Sequence, residues 1–313
     1  MTTPPKVRMV EIDQNDEGQR LDNFLLRQLK GVPKSRTYRL LRKGEVRLNK
    51  KRCKPSDRLS DGDLVRIPPV RVSENSNPPV PGQNLQSLLK QATLFVDDAL
   101  LIVDKPSGLA VHGGSGLSTG LIESLRAMRP SNEYLELVHR LDRETSGCLM
   151  IARSRKSLVS LHQALRDGLV RKEYLALAEG KWPSILKTVD APLRKNQFKS
   201  GERMVRVEQN GKNAITHFSV EQRYSSATLI RAALETGRTH QIRVHAQVSG
   251  HALVGDEKYG GREQRAYYRN KGLKRLFLHA ALLEFNHPLS GERILIEAPL
   301  PEDLTNLLNN LEN

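Results

Sequence analysis

Apolar residues recur at helical spacing early in the chain and at strand spacing later, with a polar stretch between. In QRLDNFLLRQLK (19–30), Leu21, Phe24, Leu25 and Leu29 fall on one stripe and predict a helix. Gly31-Val32-Pro33 breaks it, and Ser35 is placed to cap a second helix over 36–43. That helix turns Tyr38 and Leu41 inward and leaves Arg36, Arg39, Arg42 and Lys43 outside, and Gly44 stops it. EVRLNKKR and DLVRIP then predict short strands on either side of the turn-rich PSDRLSDGD.

Residues 73–87, SENSNPPVPGQNLQS, hold little apolar character and predict a linker, which we extend over 73–92. From 93 onward short β-type runs dominate, among them LLIVDK, LELVHRL, CLMIARS, EYLALAEG, TLIRAAL and ILIEAP. Helix-like stretches are fewer, at 155–167, 239–249 and 301–311. Many strands with few intervening helices predict an α+β fold: a mixed, mostly antiparallel sheet flanked by helices and loops. The expected division is therefore a small N-terminal α/β module over 1–72, the linker, and a large domain over 93–313. No repeat of fixed period and no low-complexity tract interrupts it.

Composition adds a partner class. The 313 residues carry a net charge of +15, with 38% hydrophobic and 27% charged residues, an ordinary globular balance that favours a polyanionic partner. Residues 1–72 hold 18 Lys and Arg against 9 Asp and Glu. Between 34 and 54 stand Lys34, Arg36, Arg39, Arg42, Lys43, Arg47, Lys50, Lys51, Arg52 and Lys54, against the single acid Glu45. A merely solvated face normally interleaves acids, which this cluster lacks. No stretch approaches the roughly 20 apolar residues of a membrane span, and no secretory signal is visible. Two cysteines, Cys53 and Cys148, make neither a disulfide framework nor a zinc site, so the expected setting is the cytoplasm.

The densest polar chemistry lies in His139-Arg140-Leu141-Asp142-Arg143-Glu144-Thr145-Ser146-Gly147, between an apolar run ending at Val138 and one beginning at Cys148. Such a loop between buried strands is where a site sits. On chemistry alone, Asp142 reads equally well as a turn or cap residue. The nine histidines never take metal-ligand spacing, so no metal is expected. Gly113-Gly114-Ser115-Gly116 lacks the ending of a phosphate loop and reads as a flexible loop, and Trp182 reads as packing at a strand end.

HRLDRETSG resembles the signature of the RluA-type pseudouridine synthases. DDALLIVDKPSGLAVH (97–112), Lys172-Glu173-Tyr174-Leu175 and Gly237-Arg238-Thr239-His240-Gln241-Ile242-Arg243-Val244-His245 resemble further motifs of that family. So do Gly255-Asp256 with Tyr259-Gly260, and Leu278-His279-Ala280. The N-terminal module resembles the alpha-L RNA-binding motif, in which the second helix and following loop meet RNA phosphates; Lys34, Arg36, Arg39, Arg42, Lys50, Lys51 and Arg52 are the matching positions.

The resemblance implies a cofactor-free RNA isomerase. Asp142 would be its nucleophile, Arg243 the arginine paired with that carboxylate through a bidentate fork, and Tyr174 the ring packed on a flipped base. Tyr174 would also help to take a proton from C5. Arg140 would fill the space the base leaves, and His139 beside it would support the loop and count with Arg140 among the substrate-binding residues. The module and linker are closest to the RluC branch, which implies large-subunit ribosomal RNA or a pre-ribosomal particle as partner and a monomeric enzyme. An RluD-like synthase, a ribosome-assembly RNA-binding factor and an N-glycoside hydrolase with Glu144 as second carboxylate are the alternatives.

Overall fold

The two stripes near the start of the chain fold onto a small sheet in the computed structural model, which describes residues 6–29, 31–70, 81–113, 119–130, 133–197 and 203–312. Helices α1 (Leu21–Gln28) and α2 (Lys34–Lys43) pack on strands β1 (Arg8–Glu11), β2 (Arg47–Leu48), β3 (Lys51–Arg52) and β4 (Leu64–Ile67), in the order β1-β4-β2-β3. Leu21, Phe24, Leu25, Leu29, Leu40, Leu41, Val46, Val65 and Ile67 form its core.

Two expectations fail here. Helix α2 begins at Lys34 behind Pro33, so Ser35 lies inside the first turn and caps nothing. Tyr38 is exposed, and the fully buried Thr37 takes the inward position. The reason is polar: the Tyr38 hydroxyl donates to Asp22 Oδ2 at 3.1 Å, a carboxylate already bound by Arg20. Gly44 does end α2, in the left-handed conformation at φ 70°.

The expected linker is also shorter. Gln83–Gln91 forms helix α3, and its Leu89 is buried in the core of the large domain beside Leu101 and Val103. A polar sequence with a few leucines was enough, because only one side of α3 meets the sheet. Residues 71–80 lie outside the described part of the chain, as do Gly114, Ser115 and Gly116 of the expected glycine loop.

The large domain is built on a ten-stranded sheet. Its path runs β10 (Thr188–Asp190), β13 (Ile215–Arg223), β14 (Ala227–Leu234), β9 (Arg171–Glu179), β15 (Leu278–Asn286), β8 (Ser146–Ala152), β6 (Leu100–Lys105) and β5 (Thr93–Val96). Strand β16 (Arg293–Glu297) pairs with β15, and β7 (Glu136–Leu137) with β8. A separate hairpin joins β11 (Leu193–Gln197) to β12 (Arg203–Val207). Every described pairing is antiparallel except β15 with β8, which confirms the α+β reading and the mixed sheet.

That parallel contact sets the site. At His279↔Ser146 and Ala280↔Gly147 the two backbones approach so closely that a Cβ on Gly147 would stand 2.2 Å from the Ala280 carbonyl oxygen. Gly147 also sits at φ 107°, which glycine alone adopts freely. Helices α5 (Arg155–Arg166), α6 (Gln241–Val248) and α8 (Glu302–Glu312) fall where the apolar spacing places them. Two more, α4 (Leu121–Ala127) and α7 (Arg262–Asn270), do not show in that spacing. Trp182 packs against Phe218 and donates its ring N–H to Leu186, as a buried strand-end residue should.

Candidate active site

The loop from Val138 to Thr145 is held from behind. Val138 N–H donates to the Met150 carbonyl, Leu141 is buried in the core, and Thr145 N–H closes a turn on Asp142 O at 3.2 Å. On the other side, Gly108 N–H donates to Arg143 O and Ser107 Oγ to Glu144 O. Lys105, fully buried, donates to the carbonyls of Pro106, Leu109 and Arg143 at 2.8, 2.8 and 3.0 Å. Burial pushes this ammonium down to about 7. Three carbonyls nonetheless match three N–H groups, an arrangement the charged form satisfies and a neutral amine does not.

Asp142 faces α6 from this frame. Arg243 Nη1 donates to Asp142 Oδ2 at 3.3 Å, so the expected pair forms. The expected fork does not go to it. Arg243 Nε and Nη2 both donate to Asp256, each at 2.7 Å, and this carboxylate is fully buried. Asp256 in turn accepts the backbone N–H groups of Lys258 and Tyr259. The arginine is thus fixed by Asp256 and offers Asp142 an N–H of Nη1.

His240 lies on the same side. It precedes α6 with φ 54° and ψ 21°, in the left-handed region, and its Nε2 stands 3.7 Å from Asp142 Oδ2. Its Nδ1 meets the Tyr259 hydroxyl at 2.8 Å, and Arg243 lies over the Tyr259 ring. Burial, partly opposed by the Asp142 charge, pushes the His240 ring down to about 4, so it is neutral near pH 7. The buried amide of Gln241 locks the turn into α6, accepting from Thr236 Oγ1 and Arg238 N–H and donating to Ile215 O and Thr216 Oγ1.

Tyr174 stands on β9 in the central core, 7% exposed, and reaches the same pocket. Burial first and the Asp142 charge second push its phenol up. The pocket is lined by Arg140, Asp142, Thr145, Tyr174, His240 and Arg243, with Leu141, Leu234, Arg238, Gln241, Ile242 and Leu278 completing it.

His139 is absent from that lining. Its Nε2 accepts the Met150 backbone N–H at 3.1 Å, and burial pushes the ring down to about 4. It therefore supports the loop and does not stand in the pocket as a substrate ligand. Arg140 is exposed at the mouth. Lys34, Arg36, Arg39 and Arg42 are exposed on α2, and Lys50, Lys51 and Arg52 on the β2–β3 hairpin. Asn49 and Lys50 have φ of 49° and 67°, the values of a tight two-residue hairpin turn that puts Lys50 at the tip and Lys51 just after it, at the start of β3. Arg52 Nη2 donates to Arg42 O and ties the hairpin to the helix.

Comparison with known proteins decides the family. The chain is 56% identical over 315 aligned residues to "Ribosomal large subunit pseudouridine synthase C" of Salmonella typhimurium, covering 100% of this chain and 99% of that protein. It belongs to the RNA pseudouridylate synthase family. The family model for RNA pseudouridylate synthase matches residues 99–248, which include Asp142, Tyr174 and Arg243, and an S4 domain model matches residues 19–65. Proteins of the same name from Escherichia coli and Pasteurella multocida are 55% and 53% identical, over 100% and 97% of this chain and 99% and 94% of theirs.

Among solved structures, Human RNA Pseudouridylate Synthase Domain Containing 4 superposes with a TM-score of 0.60 at 26% identity, covering 73% of this chain and 96% of that one. Human RNA Pseudouridylate Synthase Domain Containing 1 gives 0.56 at 26%, covering 67% and 83%. The chain is an isomerase of the RluA type, on its RluC branch, with an S4 domain at its N-terminus. Among the described residues no helix is long and apolar enough to cross a membrane.

Sequence reading missed His240, Asp256 and Tyr259 as site residues. All three stand inside motifs quoted above, yet Asp256 and Tyr259 fall outside the span of the family model. Their signal was a buried contact across a turn, which spacing does not carry.

Proposed function

We propose that this synthase isomerises specific uridines of large-subunit ribosomal RNA through Asp142, with the target base flipped out of its stack. The observation that carries the reading is the convergence of Asp142, Arg243 and Tyr174, drawn from three separate motifs, on one pocket. The names of the bacterial relatives supply the RNA class.

The reaction breaks the C1′–N1 bond, joins C1′ to C5, and exchanges the hydrogen at C5 for one at N1, with no net oxidation. A carboxylate suits it because it can bond to carbon and leave again. Attack at the sugar, addition to the base and proton abstraction to a glycal all place Asp142 against the nucleotide. Tyr174 offers a ring for the flipped base; such stacking contributes about 1–3 kcal/mol, comparable with the cost of unstacking. Arg140 at the mouth fits the gap left behind, since a planar guanidinium stacks and hydrogen-bonds. The exposed Lys34, Arg36, Arg39, Arg42, Lys50, Lys51 and Arg52 anchor RNA phosphates, and the domain that begins at α3 carries the chemistry.

Pseudouridine mapping in ribosomal RNA from a deletion strain, complemented with the wild type or with Asp142→Asn, tests this. The wild type restores the missing sites and Asp142→Asn does not. Full restoration by Asp142→Asn, or release of free uracil, would overturn the reading.

A further inference from the structure

Asp142 is addressed on one oxygen only. Arg243 Nη1 and His240 Nε2 both approach Oδ2, at 3.3 and 3.7 Å, and among the described residues Oδ1 has no partner. A distance of 3.7 Å is longer than a hydrogen bond, and catalytic contacts of this length commonly close only when substrate binds. Which atom His240 offers is settled behind it. The Tyr259 hydroxyl oxygen accepts Val205 N–H at 3.0 Å, and its other contact is His240 Nδ1 at 2.8 Å. The phenol proton has Nδ1 as its acceptor, so Nδ1 is unprotonated and the neutral ring carries its hydrogen on Nε2.

We propose that His240 is a positioning residue, whose Nε2–H, set by Tyr259, joins Arg243 in clamping Oδ2 of Asp142 and leaves Oδ1 for the substrate. Two further observations support it. His240 is held in left-handed backbone, a conformation that costs free energy for a residue other than glycine and concentrates at functional sites. Its ring packs edge-on to Tyr259, with centroids 5.6 Å apart, so each ring limits the other's rotation. Neutrality of the ring follows from its burial, with Asp142, Asp256, Arg243 and Lys258 as the charges around it. The tyrosine is itself steered from a distant element: Val205 lies on β12, so the outlying β11–β12 hairpin braces the catalytic tautomer.

This inference rests on Asp142 being the reacting group, and its test separates the two. Single-turnover pseudouridine formation and RNA affinity are measured for His240→Gly, Tyr259→Phe and the double variant. Glycine keeps the left-handed backbone, so the turn into α6 survives. We expect His240→Gly to slow the reaction by about tenfold to hundredfold, the worth of a hydrogen bond to a charged group, with RNA affinity unchanged. Tyr259→Phe slows it less, and adds nothing in the His240→Gly background, because no ring remains to orient. Nitrogen NMR of labelled His240 shows the hydrogen on Nε2 in the wild type and a mixture in Tyr259→Phe. A Tyr259→Phe penalty that persists undiminished in the double variant, or wild-type turnover by His240→Gly, overturns the clamp. Wild-type turnover by Asp142→Asn would instead sink the nucleophile reading beneath it.

Discussion

Arg243 is bound by Asp256 through two hydrogen bonds of 2.7 Å and reaches Asp142 through one of 3.3 Å. Asp256 therefore sets the direction from which Asp142 receives positive charge. Removing it leaves a guanidinium only 7% exposed without its main partner. Loss of one member of a buried pair costs about 3–5 kcal/mol. Asp256→Ala should lower the melting temperature and abolish turnover. Asp256→Asn retains one acceptor oxygen, so it should fold better and still turn over slowly. Calorimetry and single-turnover kinetics on both variants check this, and equal, near-wild-type rates would show that Arg243 needs no anchor.

Gly147 carries a second prediction. A methyl group there meets the Ala280 carbonyl at 2.2 Å and must also hold φ 107°. Neither backbone can yield without opening the β8–β15 contact, which lies just after the Asp142 loop. Overpacking of this kind costs about 1–3 kcal/mol, and the backbone strain adds to it. Gly147→Ala should lower both the melting temperature and the turnover rate. Unchanged turnover in a folded Gly147→Ala would mean that the loop is held by the Lys105 and Ser107 contacts alone.

These two positions show where sequence reading stops. That Asp142, Tyr174 and Arg243 meet in one pocket was legible through the motifs that resemble the family's, and the mixed sheet because strand-length apolar runs dominate after residue 93. Strand β1 was not, since as an edge strand it buries almost nothing. Helix α7 hid for a similar reason: REQRAYYRN buries only Gln264 and Tyr268 and shows no apolar stripe. Tyr38 misled because an aromatic at a plausible inward position has a hydroxyl that found Asp22. The Asp256 fork was invisible because it joins residues across a turn, where no periodicity operates.

Acid sensitivity follows from the buried histidines. His139, His240 and His279 are each pushed down to about 4 by burial, from an ordinary value near 6.5. In the unfolded chain they take up protons as pH falls below about 6.5, while in the folded chain they stay neutral until near 4. The unfolded state therefore binds more protons across that window, and stability falls as pH falls from about 6.5 toward 4. The Asp22, Glu221, Glu284 and Asp303 carboxyls, which are held low, lose their contribution further down. His279 accepts from Ser146 Oγ at Nδ1 and faces the Ala298 carbonyl with Nε2, so His279→Gln can keep part of this bonding without titrating. Melting temperature measured from pH 7 to 5 should drop steeply in the wild type and less steeply in His279→Gln. Parallel slopes would mean that this ring does not drive the loss.

The basic module makes the last prediction, because phosphate contacts leave a signature that packing contacts do not. Each phosphate neutralised by a lysine or arginine releases counterions, so log affinity falls with log salt at a slope of about 0.7–0.9 per contact. Lys50 stands exposed in the β2–β3 turn and Lys51 at the start of β3, with Arg36 and Arg39 exposed on α2. Lys50→Ala and Lys51→Ala together should weaken RNA binding at low salt and flatten the salt slope by about two contacts. Arg36→Ala with Arg39→Ala should do the same from the helix side, and the four changes should add, since the side chains act on different phosphates. Filter binding across a salt series reads both quantities at once. Weaker binding with an unchanged slope would assign these residues to the shape of the module, and an unchanged affinity would leave the RNA anchored by the catalytic domain.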